Sequence, residues 1–285
     1  MSDEPFEQKG HPMSHPAAPE ELSVLVVKPD GYRCPQVREY VDELLQASRL
    51  TVELRYEVCL EDEDVMDTWP KFAGPKYPIT AELLRLYLTS GPCEVIVVHG
   101  PDVVRRCAHL RGEVRARFGT SAFANCVHTP TEPQEIGPNV EKYLVSLPTG
   151  QPFTRHRDDG VTEGISGRLA ALPRSVLLAE ARAFWGTAQK EGWRAAWRSR
   201  PEGGGFGACL LPGDPHSVDH GMSLIADALP GLTVREVISA YVEAEVEGWS
   251  CLLSGTRAEA RELARLLAAQ GLYAEVRALT PARRN

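Results

Sequence analysis

The residue best suited to chemistry in the first half of the chain is His128, which closes the run Asn125-Cys-Val-His128. A neutral imidazole is nucleophilic at physiological pH and, unlike a hydroxyl, needs no separate base. A lone histidine is nevertheless more often structural than catalytic, so its companions decide. They are Lys28, which follows an apolar run, together with Arg115, Asn125 and Glu135. Taken singly, Lys28 also fits a solvated strand-end cation, Arg115 a surface ion pair and Asn125 a turn residue. Elsewhere the bland readings prevail. His11 and His15 lie in an acidic, proline-bearing stretch without periodicity, and His216 and His220 beside Asp214 and Asp219 suit a polar turn better than a metal site. The seven cysteines (34, 59, 93, 107, 126, 209 and 251) include no C-x-x-C pair. That argues against a zinc site or a disulfide framework and fits a reducing compartment.

These residues need a scaffold, and the periodicity supplies one. Ser23–Val27 reads as a short apolar strand and Pro29-Asp30-Gly31 as turn chemistry. Val37, Tyr40, Val41, Leu44 and Leu45 have helical spacing, whereas Leu50 to Leu60 alternate as a half-buried strand does. Leu83, Leu84, Tyr87 and Leu88 mark a helix that Gly91 can end. Cys93–Val98 is a buried strand, Pro101-Asp102 a helix start, Gly112 its expected stop, and Asn125–His128 a last strand. The order predicts an α/β (α+β) domain with a ferredoxin-like split βαβ sheet and helices on one face.

Residues 1–22 read as a flexible tail and 138–205 as a connecting region. Within the latter, Leu177–Trp197 looks helical, with Phe184, Trp185, Trp193 and Trp197 expected to pack against a neighbouring domain, and Gly203–Gly205 form a linker. From Phe206 a second small α/β sandwich follows. Its strands are Ala208–Leu211, Ser250–Leu253 and Leu272–Leu279, and its helices include Met222–Leu229 and two opened by the capping boxes Thr233/Glu236 and Thr256/Glu259. Ordinary globular composition, 43% hydrophobic and 25% charged, makes disorder unnecessary, and a net charge of −8 gives no basic face for nucleic acid. With no apolar run of membrane length and no basic leader, a soluble cytoplasmic protein is expected.

Four ordered segments, spread from residue 23 to about 137, resemble nucleoside diphosphate kinases. They are Val-Val-Lys28-Pro-Asp-Gly31; Thr89-Ser90-Gly91-Pro92 with the strand leading to His99-Gly100; Arg115-Ala-Arg-Phe118-Gly119 followed by Asn125-Cys-Val-His128; and Glu135-Ile136. The resemblance implies ping-pong phosphoryl transfer, in which the His128 ring takes the γ-phosphoryl group of a nucleoside triphosphate and passes it to a nucleoside diphosphate. It implies that Lys28 contacts phosphate and sugar hydroxyl, Arg115 the phosphates and Asn125 the ribose. Glu135 would orient the imidazole, Mg²⁺ would bridge the nucleotide phosphates, and copies of the chain would form a homo-oligomer.

The sequence also departs from that pattern. Ala108 stands where a second phosphate-binding arginine is expected, Val114 replaces a threonine donor, the loop before Arg115 is absent, and Thr-Pro-Thr follows His128. Two lost charge-assisted donors cost about 3–6 kcal/mol, roughly 10²–10⁴ in rate or affinity. Arg105 and Arg111, three residues either side of Ala108, could fill the gap, and Phe72 or Tyr77 could stack on the base. The alternative is a catalytically inactive nucleotide- or protein-binding scaffold.

Residues 206–280 resemble ClpS-type adaptors of Clp proteases, through Leu210-Leu-Pro-Gly-Asp214, the Met222–Leu229 helix and Glu247–Ala260, with the ribosomal stalk protein's C-terminal domain as second choice. The resemblance implies a protein partner, with Asp214 and Glu245 at the positions of that family's binding residues.

Overall fold

The computed structural model describes residues 21–119, 124–150, 163–191, 205–213 and 217–279. Residues 1–20 of the tail, Trp193, Trp197, the Gly203–Gly204 part of the linker, and Asp214 and His216 lie outside the described residues, whereas Glu21 and Leu22, expected in the tail, open the first strand.

The chain runs β1 (Glu21–Val27), α1 (Pro29–Tyr32), α2 (Pro35–Ala47), β2 (Thr51–Val58), α3 (Asp62–Thr68), a 3-10 turn (Pro70–Phe72), α4 (Pro78–Leu88), β3 (Cys93–Gly100), α5 (Val103–Phe118) and β4 (Val127–His128). These strands form one antiparallel sheet in the order β2-β3-β1-β4, the ferredoxin-like arrangement. β1 and β3 are central and bury both faces, which is why each is a nearly unbroken apolar run instead of an alternating one.

Their side chains divide by parity. Leu25, Val27, Ile96 and Val98 pack against Val37, Val41 and Leu45 of α2 and Cys107, Leu110 and Val114 of α5. Val24, Val26, Val95 and Val97 face the opposite way and meet Leu83, Leu84 and Leu88 of α4. Helices therefore cover both faces, not one. The expectation of a single covered face overlooked that both central strands are apolar at every position, which requires two covers. α5 also runs through Gly112 to Phe118. The exposed glycine costs about 1 kcal/mol there, and the apolar stripe that continues through Val114 outweighs it.

Beyond β4 come α6 (Pro133–Val140), a π-helical segment (Glu141–Ser146), α7 (Leu147–Thr149), α8 (Gly167–Ala170) and α9 (Arg174–Glu191). Lys142 and Tyr143 of the π-helical segment are buried. The Lys142 ammonium pairs with Asp64 at 3.0 Å and Asp67 at 3.1 Å, tying α3 down. On α9, Phe184 and Trp185 are buried, and the Trp185 ring meets Tyr87 of α4 edge-on at 6.1 Å. These two aromatics are thus interior packing and not an exposed face.

The second sheet has the order β6-β5-β7, all antiparallel, from β5 (Gly205–Leu210), α10 (Val218–Ala228), α11 (Val234–Glu247), β6 (Ser250–Gly255), α12 (Arg257–Ala269) and β7 (Ala274–Leu279). Both expected capping boxes form with reciprocal hydrogen bonds. The two sheets share one apolar core through α4, α9, α10 and α11. A polar joint adds to it. The buried Asp219 carboxylate on α10 accepts from the Ile79 and Thr80 amides at 3.0 Å each, capping the N-terminus of α4, and from the Thr80 hydroxyl. Among the described residues no helix is long and apolar enough to cross a membrane.

Candidate active site

β1 ends at Val27, and the edge strand β4 pairs with it through Val26↔His128 and Val27↔Val127. Directly opposed residues share a face, and so do residues two apart on a strand, so His128, Val26 and Lys28 point to the same side. The junction is held tightly. The Lys28 amide donates to the Cys126 carbonyl at 2.7 Å, and Asp30 accepts from the Cys126 amide at 3.1 Å. Between these bonds Cys126 adopts φ +64°, a left-handed conformation that a residue other than glycine holds only when its surroundings impose it. Gly31 is required by proximity. A Cβ there would lie 2.7 Å from the Cys126 carbonyl oxygen and 3.2 Å from its Cα.

The turn at Cys126 aims Asn125 back at β1, where its Oδ1 accepts from the Lys28 ammonium at 2.6 Å. Lys28 is only 3% exposed. Burial, reinforced by the charge of Arg115 and partly offset by Asp30, brings its pKa down to about 7. The Tyr87 hydroxyl donates to Asp30, and the Tyr87 ring lies 5.6 Å from the Lys28 nitrogen. Burial and the Asp30 charge hold that phenol well above its ordinary range.

α5 supplies two further cations. Arg115 donates through Nε and Nη2 to the Val127 carbonyl at 3.1 and 2.8 Å, and Arg111 reaches the Thr129 carbonyl at 3.4 Å. Burial and the neighbouring Arg111 lower the Arg115 pKa to about 10. His128 is 7% exposed, and its Nε2 is buried with no hydrogen-bond partner. Burial first, then the charges of Lys28, Arg115, Arg111 and Lys71, keep the imidazole far below its usual pKa and hence neutral. The Trp69 indole, just past the end of α3, lies against it with ring centroids 4.6 Å apart and an interplanar angle of 59°.

Lys28, Arg111, Arg115, Asn125 and His128 therefore come together. Two other sequence candidates, Arg105 and Phe72, are engaged elsewhere. Arg105 has a side chain 80% exposed and pairs with Asp102 at 2.7 Å, because its place on α5 faces solvent. Glu135 sits in the first turn of α6 and gives His128 Nε2 no hydrogen bond. Phe72 packs edge-on against Tyr77 at 5.5 Å. It lines a cavity of about 300 Å³ between α3, α4 and α9, together with Met66, Glu82, Arg85 and Leu178. Trp69, Asp30 and Tyr87 were not among the sequence candidates. Asp30 belongs to the Lys28–Gly31 motif, where Pro-Asp-Gly is equally a turn signal, and nothing in the periodicity marks Trp69.

No model of a known family and no curated protein matches the sequence. Among solved structures, the chain is similar to the nucleoside diphosphate kinase of Aquifex aeolicus, at 20% identity over 42% of this chain and 92% of that one, with a TM-score of 0.37. The halophilic enzyme of Halobacterium salinarum, solved in complex with CDP, is 18% identical over 49% and 95% of the two chains, with a TM-score of 0.40. The apo nucleoside diphosphate kinase of Encephalitozoon cuniculi is 16% identical over 47% and 94%, with a TM-score of 0.40.

Proposed function

We propose that residues 23–137 carry a nucleoside-diphosphate-kinase-type site in which His128 accepts a phosphoryl group from a nucleoside triphosphate and returns it to a nucleoside diphosphate. The observation that carries this reading is a neutral imidazole with an unpartnered buried Nε2, set among the cations Lys28, Arg111 and Arg115. An orphaned ring nitrogen costs folding free energy unless a ligand group comes to meet it. A neutral ring retains the lone pair that attacks phosphorus. As the bond from the γ-phosphorus to the ring nitrogen forms, the bond to the bridging oxygen breaks and the nucleoside diphosphate leaves. The surrounding cations hold the charge on the transferring and leaving oxygens.

Lys28, with a pKa near 7, gains its proton most readily when an anion arrives beside it. Asn125, now the ammonium's acceptor, would exchange that bond for a ribose hydroxyl. Arg111 takes the part left open by Ala108. Mg²⁺ would travel on the nucleotide phosphates. Substrate entry requires Trp69 to move off the imidazole.

The test is incubation with γ-labelled ATP and Mg²⁺. The reading expects acid-labile, base-stable label that is absent from His128→Ala. No label at saturating nucleotide retires it.

One observation favours the second reading, a non-catalytic nucleotide- or protein-binding scaffold. Trp69 closes over His128, with ring centroids 4.6 Å apart. Nucleotide binding without label would select it. For residues 206–285 the reading of a protein-docking module rests on the sequence resemblance. Glu245 accepts a long hydrogen bond of 3.4 Å from the Gly213 amide. Recovery of a Clp-type unfoldase or of peptides with defined N-termini on the immobilised chain would support an adaptor role, and failure of both would end it.

A further inference from the structure

Two cysteines that no part of the proposed phosphoryl chemistry uses face each other in the second sheet. In the β5–β6 pairing Ala208 stands opposite Leu253, but the next residue, Cys209, stands opposite Cys251. A β-bulge at this point places one extra residue, Leu252, on β6. Without it Cys209 would oppose Leu252, whose side chain belongs to the core, and the two sulfurs would lie on opposite faces of the sheet. The bulge is therefore what sets thiol against thiol. The Cys251 sulfur also leans over β5. It lies 2.8 Å from the point where a Cβ on Gly207 would stand, a position open only because residue 207 has no side chain.

The Cys209 thiol donates to the Gly207 carbonyl at 3.7 Å and the Cys251 thiol to the Leu253 carbonyl at 3.4 Å. Cys209 is fully buried, whereas Cys251 is partly exposed. Opposed residues of an antiparallel pair have Cα atoms about 4.5–5.5 Å apart, inside the roughly 4.4–6.8 Å that a disulfide spans.

The geometry points to a reversible redox modification site, in which Cys251 is the attacking thiol, Cys209 the resolving thiol, and a low-molecular-weight disulfide such as oxidised glutathione the oxidant. The partly exposed Cys251 thiolate attacks one sulfur of the oxidant, expels one glutathione thiolate and becomes a mixed disulfide. Cys209 then attacks the Cys251 sulfur, its proton passing to the glutathione sulfur as that sulfur departs. The Cys209–Cys251 bond forms and the second glutathione leaves as its thiol. Two protein thiols are oxidised and one glutathione disulfide is reduced to two thiols, so the exchange balances. A thiol–disulfide switch of this kind operates in a compartment that keeps structural disulfides reduced. The linkage would close a loop containing α10 and α11, and with it Asp219, the residue that caps α4.

The test uses the full chain, exposed to oxidised glutathione, quenched by alkylation and mapped as peptides without reduction. The expected result is a Cys209–Cys251 cross-linked peptide lighter by two hydrogen atoms than its parts, restored by dithiothreitol. In Cys209→Ser the reaction stalls with glutathione on Cys251. Cys59, which is exposed, serves as the internal control for oxidant activity. If Cys59 carries glutathione while Cys209 and Cys251 are both alkylated, or if either one pairs with a different cysteine, the proposal is overturned. The readout in the unsubstituted chain decides the matter even if a serine variant fails to fold.

Discussion

The indole of Trp69 and the imidazole of His128 pack ring against ring at 4.6 Å, and both side chains are more than nine-tenths buried. The ring with the orphaned nitrogen is thus shut in by a residue at the end of α3, and α3 is held by the Lys142 ammonium between Asp64 and Asp67. Under the proposed function, a nucleotide would have to displace this contact to reach His128.

Trp69→Ala should lower stability by about 3 kcal/mol, as expected when a large buried aromatic is removed. It should also raise the labelling rate per folded molecule about two- to tenfold, because the closed state loses an aromatic contact of about 0.5–1.5 kcal/mol. Denaturant melts and single-turnover labelling measure the two effects. A slower labelling rate would mean that Trp69 assists substrate binding and does not obstruct it.

Under the proposed function, Lys28 should make nucleotide affinity depend on pH. Its pKa in the folded chain is about 7, against an ordinary 10.5. Below 7 the ammonium is charged and attracts phosphate, and affinity should weaken as pH rises through about 7. Folding stability moves the opposite way. Between about 7 and 10.5 the unfolded chain holds a proton that the folded chain has released, so stability rises with pH over that window. Calorimetric titrations and urea melts of wild type and Lys28→Met check both signs. Parallel pH profiles for the two proteins would contradict the assignment.

Asp219 carries the opposite dependence. Burial lifts its pKa from 3.8 to about 6 despite the bonds from Thr80 and Ile79. Its contribution is full below about 3.8 and is lost as pH rises through about 6, by about 3 kcal/mol. The difference in unfolding free energy between wild type and Asp219→Asn should therefore shift by that amount between pH 3.5 and 7, both values taken as roughly one side and the other of that window. Asp219→Ala, which leaves the buried Ile79 and Thr80 amides without an acceptor, should cost about 2–4 kcal/mol near pH 7 and about 3 kcal/mol more at pH 3.5. A flat difference across this range would contradict the assigned shift.

Two glycines separate close approach from backbone freedom. Gly31→Ala forces a Cβ against the Cys126 carbonyl, and should cost about 1–3 kcal/mol while disturbing the Asn125–His128 segment and its labelling. Gly112→Ala meets nothing within 4 Å on the exposed side of α5 and should stabilise the chain by about 0.5–1 kcal/mol. Thermal melts of the pair, with labelling of each, give the comparison. Equal behaviour would show that the β1–β4 junction is slack.

Much of the scaffold was legible in the sequence. The apolar runs of β1 and β3, the helical spacing on α2 and the hydroxyl–carboxylate signatures before α11 and α12 are local codes, and each element forms where its code lies. The meeting of Lys28, Asn125 and His128 was readable only through the motif that carries them, since residues 97 and 100 positions apart have no local signal. What stayed hidden depends on long-range packing. Trp69 on His128, Lys142 between two aspartates and Asp219 capping α4 are pairings between distant segments, and no periodicity encodes them. Gly112 misled because a helix breaker in isolation is outweighed once Leu110 and Val114 are buried on either side.

The central claim is that the imidazole of His128 takes the phosphoryl group, and the most direct measurement is phosphopeptide mapping at neutral to alkaline pH after brief exposure to ATP and Mg²⁺. The expected result is a phosphoramidate on the peptide containing His128 that ADP discharges with re-formation of ATP. An unmodified His128 in a chain shown to bind ATP, or a phosphoryl group carried only on a serine or threonine hydroxyl, would contradict it.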